Sequence, residues 1–71
     1  MGLCELENGK RGVVVRVEGG CGAREHLLEL GLVPGVPVRM LEKAGGGPLL
    51  LEVLGSRVML GRGIAGKVIV R

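Results

Sequence analysis

Residues 24–35 read REHLLELGLVPG, and this stretch decides the fold. With Ala23 in front of it, the segment Ala23 to Leu30 places Ala23, Leu27 and Leu30 at i, i+4 and i+7, one stripe along a helix. Gly31 then stands where a helix ends in the left-handed conformation. Leu32 is placed to fold back onto Leu27, and Pro34 forbids any continuation. A helix of about two turns is marginal alone, so it must be held by packing its stripe onto something else. Leu28 lies off that stripe.

Working outward, the period changes from helical to alternating. Gly12 to Glu18 (GVVVRVE) puts Val13, Val15 and Val17 on one face, with Val14, Arg16 and Glu18 on the other. That reads as a half-buried strand with Val14 on its charged side. Gly19, Gly20 and Gly22 open a loop before the helix. Beyond Pro34-Gly35, Val36 to Lys43 alternates again, with Val36, Val38 and Met40 sharing a face. Pro37 marks this strand as an edge or a bulge. Gly45 to Gly47 form a loose turn. Leu49, Leu51 and Val53 alternate with Leu50, Glu52 and Leu54. Gly55-Ser56 reads as a two-residue hairpin, returning through Val58 and Leu60. Gly61 to Gly66 reads as an irregular connection, and Val68 and Val70 as a last strand.

The expectation is therefore mostly β: a small barrel, closed or half-closed, of about five strands with one short helix inserted after the first strand. At 71 residues, a single domain over residues 1–71 is expected. A parallel α/β sheet is excluded, because it needs repeated crossover helices.

Composition narrows the function. The chain has no Phe, Tyr or Trp, so its core is aliphatic and its mean hydropathy is +0.44. Stacking of single-stranded nucleic acid and binding of proline-rich peptides both rely on aromatic side chains, and neither is expected. The net charge of +3 comes from scattered Lys and Arg, with no basic run. No stretch reaches the roughly 18 apolar residues of a membrane span, and no leader pattern is seen. The cytoplasm is the expected compartment, with Cys4 and Cys21 as free thiols.

Chemistry-bearing motifs are absent or out of context. Gly61-Arg62-Gly63-Ile64-Ala65-Gly66 matches GxGxxG in letters, but a dinucleotide fingerprint must be followed by a helix inside a unit of about 30 residues. Here only Lys67 to Arg71 follow. No phosphate loop occurs, Asp is absent, and Ser56 is the one serine. Cys4, Cys21 and His26, with Glu25 or Glu29 as added oxygen donors, match no metal-ligand spacing. No metal, cofactor or catalytic residue is expected, and the protein is not expected to be an enzyme.

REHLLELGLVPG resembles the signature of the FeoA family of bacterial ferrous-iron transport accessory proteins. The resemblance continues through Leu6, Gly9 and Gly12, the Gly19-Gly20 loop, Gly47-Pro48 before a Leu-x-Leu-x-Val strand, Gly55, and Val58 to Leu60. It reaches the end of the chain at Ala65, Lys67 and Val68 to Val70. It implies an SH3-like barrel and a cytosolic partner of the FeoB-type membrane iron transporter, whose cytosolic part is a GTPase. Family helices are often richer in arginine, whereas Glu25 and His26 flank Arg24 here. The expected contact surface is Arg24, Glu25, His26 and Leu28 with the neighbouring glycine loops. The alternative is a ferrous-iron-responsive module using Cys4, Cys21, His26 or Glu side chains. A domain of the iron-dependent repressors, which share the fold, ranks lower because no helix-turn-helix precedes it. Val14, Leu50 and Leu54 are expected to be exposed and open to self-association.

Overall fold

The computed structural model describes residues 1–43 and 45–71. Five strands form one antiparallel sheet: β1 (Arg11–Val17), β2 (Pro37–Lys43), β3 (Leu49–Val53), β4 (Ser56–Leu60) and β5 (Val68–Val70). Their order is β4-β3-β2-β1-β5. Helix α1 (Cys21–Glu29) follows β1, a single helical turn α2 (Arg62–Ala65) follows β4, and a 3-10 turn (Leu3–Glu5) opens the chain. The core is the inner face of the sheet, closed by Leu3 and Leu6, by Leu27 and Leu32, and by Ala65. It is wholly aliphatic.

The helix ends as its sequence requires. Gly31 has φ +86°, its N–H donates to Leu28 O, and the Leu32 N–H donates to Leu27 O at 2.9 Å. These two bonds are the Schellman arrangement, and they bring buried Leu32 back beside buried Leu27. Val33 to Val36 then make a turn closed by the Val36 N–H to Val33 O bond, with Gly35 at φ +92°. The same turn is tied to β1, because Gly35 N–H donates to Val14 O and Val14 N–H to Val36 O. The helix exit and the first strand are thus one unit.

Five expectations change. The sheet is open and not a closed barrel: β4 and β5 are its two ends and do not pair with each other. Pro37 is in a central strand. It is tolerated there because it is the first residue of β2, where its register partner is Val13 and no partner on β3 is yet engaged. Val14 is core, at 1% exposure, whereas Val15 is 40% exposed. A bulge between Val14 and Arg16 inserts one extra residue against β5, which breaks the alternation and re-aims the valines. The hairpin turn is Leu54-Gly55, one residue earlier than expected, closed by the pair Val53–Ser56. Residues 61–66 hold the turn α2 instead of irregular chain.

Candidate docking groove on helix α1

Helix α1 buries Leu27 completely and half-buries Ala23, while the opposite side stays in solvent. Arg24, Glu25, His26 and Leu28 are all exposed. Leu28 is 62% exposed, a large apolar side chain left outside the core by the helical period. Arg24 and Leu28 stand one turn apart and look onto a groove of about 220 Å³. Arg16 and Val17 of β1, with Leu32, Val33 and Pro34 of the helix exit, complete its lining. Two of the four expected contact residues are therefore brought together, while Glu25 and His26 do not line the groove.

The remaining lining residues are not among the contact residues expected from the sequence. Leu32 and Pro34 have fold roles in the sequence, as the residue that packs back on Leu27 and as the stop to the helix, and Val33 lies between them. Arg16 read as a solvated charge. It is held by Glu18, whose Oε2 accepts from Nε at 3.2 Å. Both are largely exposed, so this ion pair contributes little to stability, but it orients the guanidinium beside the groove mouth.

No polar or charged residue is buried among the described residues. Nor, among the described residues, do three His, Cys, Asp or Glu side chains gather to hold a metal ion. Cys21 is exposed at the start of α1, and half-buried Cys4 lies elsewhere, its thiol 3.7 Å from Arg62 O. The structure thus disperses Cys4, Cys21 and His26. None of the described helices is long and apolar enough to cross a membrane.

A five-stranded open sheet with a helix inserted after the first strand, an aliphatic core and a shallow apolar groove defines a small SH3-like domain. Within that class the chain is a member of the FeoA family, whose domain model matches residues 1–71. A crystal structure of an iron uptake regulatory protein (FeoA) superposes with a TM-score of 0.96 at 41% identity, covering 100% of this chain and 95% of that one. Stenotrophomonas maltophilia FeoA, crystallised with zinc and described as a prokaryotic SH3 domain protein, superposes with a TM-score of 0.88 at 37% identity, over 100% and 89% of the two chains. A Methanocaldococcus jannaschii protein provisionally named Fe(2+) transport protein A is 30% identical over 68 residues, spanning 96% of this chain and 82% of its own. A manganese-dependent transcriptional repressor, 19% identical with a TM-score of 0.90, shares the fold over 40% of its length.

Proposed function

We propose that the chain is a non-catalytic, cytosolic accessory protein of ferrous-iron uptake that docks onto the cytosolic GTPase region of a FeoB-type transporter. The observation that carries this reading is the α1 groove. It is an apolar depression with exposed Leu28 at its edge and two arginines beside it, on a domain with no buried polar side chain among the described residues. An apolar anchor next to a groove and a rim of charge is the anatomy of a modest protein interface. Membership of the FeoA family supports the transport setting. The relative from M. jannaschii supports the metal.

The test is binding of the transporter's cytosolic region to the full chain and to the double variant Leu28→Glu with Arg24→Glu. Both side chains are exposed, so the melting temperature should not move. Burial of a carboxylate against the partner, with loss of one favourable charge, should weaken binding about tenfold or more. Unchanged affinity rejects the groove as the contact. Anaerobic calorimetry with ferrous iron separates this reading from the metal-responsive one: heat of binding at micromolar iron would favour the latter.

A further inference from the structure

The sheet treats its two edges differently. The outer edge of β5 is covered by the start of the chain. The Met1 amino group donates to Val70 O at 3.0 Å, Val70 N–H donates to Met1 O at 2.8 Å, and Gly2 bridges Ile69. The outer edge of β4 pairs with nothing among the described residues. Because Val53–Ser56 closes a two-residue turn, Ser56, Val58 and Leu60 turn their backbone groups toward β3. Arg57 and Met59 therefore point their N–H and C=O groups outward.

Natural edge strands are usually defended by proline, lysine or a bulge. β4 has no proline, lysine or bulge, its one charge is Arg57, and its five residues pair with β3 in unbroken register. Its outward side chains are distinctive. Met59 is 66% exposed beside half-buried Leu50, its register partner. Arg57 ends a row across four strands, Arg11–Arg39–Glu52–Arg57. That row sets three arginines against one glutamate, and two of the arginines are direct cross-strand neighbours, an arrangement that is unfavourable until an anion joins it. The one ion pair among the described residues, Arg16–Glu18, lies outside it.

We propose that the β4 edge takes an extended acidic segment of a partner protein as a sixth strand, with a carboxylate opposite Arg57 and an apolar side chain opposite Met59. Backbone bonds to Arg57 and Met59 would supply the affinity, and the two side-chain positions the selectivity. A second copy of this chain fits less well, since antiparallel pairing about Val58 would set methionine against Arg57 and leave the arginine row unneutralised. The edge shares no residue with the α1 groove, so neither surface depends on the other.

The experiment is amide hydrogen exchange on the full chain with the capped peptide Thr-Leu-Val-Glu-Val-Thr. At saturation, exchange at Arg57 and Met59 should slow about tenfold or more. A peptide with Lys in place of Glu should bind about tenfold more weakly, and Arg57→Glu should reverse that preference. Met59→Pro, which an edge position tolerates, should abolish the protection. Leu28→Glu with Arg24→Glu should leave peptide binding unchanged. Unaltered exchange at Arg57 and Met59 would overturn the proposal, as would equal affinity for the two peptides. So would protection that rises with protein concentration in the absence of peptide, which would make a second copy the occupant.

Discussion

Among the described residues, Leu54 is the one other than glycine held at positive φ, at +51°. With Gly55 at +82°, it forms a two-residue turn that needs left-handed backbone at both positions. Leucine suits that conformation poorly, at a cost of about 1–2 kcal/mol. Its side chain is 69% exposed, so little burial offsets the strain. Leu54→Asn should therefore raise stability by about 1 kcal/mol. A urea titration with an unchanged slope and a higher midpoint would show it; a lower midpoint would refute the argument. Gly31 is the opposite case. A Cβ there would sit 3.3 Å from Leu54 Cδ1, at φ +86°. Gly31→Ala should cost about 1–2 kcal/mol, read as a fall in melting temperature.

Helix α1 is well terminated and poorly begun. Gly20 at its N-cap supplies no side-chain acceptor, and Gly22 occupies its second position. Both weaken the first turn. The C-terminal end compensates with two backbone bonds and the Leu27–Leu32 contact, so the helix is anchored from the end that leads into the turn bonded to β1. A Cβ at Gly22 meets nothing within 4 Å. Gly22→Ala should thus stabilise by about 0.5–1 kcal/mol, and circular dichroism on heating would record the later unfolding. An unchanged transition would mean that the first turn is already saturated by packing.

Among the described residues, the molecule rests on one aliphatic cluster of fifteen buried side chains, without aromatic rings, disulfide or buried charge. A chain of this size has a stability of about 4–10 kcal/mol. Leu27, fully buried, joins α1 to the sheet. Leu27→Ala removes that link and leaves a void, at a cost of about 2–5 kcal/mol, a large share of the total. Chemical denaturation should show a midpoint lowered in proportion. A loss below about 1 kcal/mol would mean that α1 is peripheral to the core. At the same scale, the covered β5 edge and open β4 edge leave one route for adding a strand.

The helix, its stop at Gly31, the Pro34-Gly35 turn and the strand around Leu49, Leu51 and Val53 follow from local chemistry, and the sequence alone determined them. Each rests on period, on left-handed glycine or on a missing proline donor, none of which needs a distant partner. The pairing of β1 with β5 was not readable in this way. A bulge is a property of two strands together, and it exchanged Val14 for Val15 in the core. Openness of the sheet, the company Arg24 and Leu28 keep in the groove, and the row from Arg11 to Arg57 also depend on register between separate strands. Only the tertiary structure decided those, because alternation along one strand says which side chains share a face and not which neighbour will cover it.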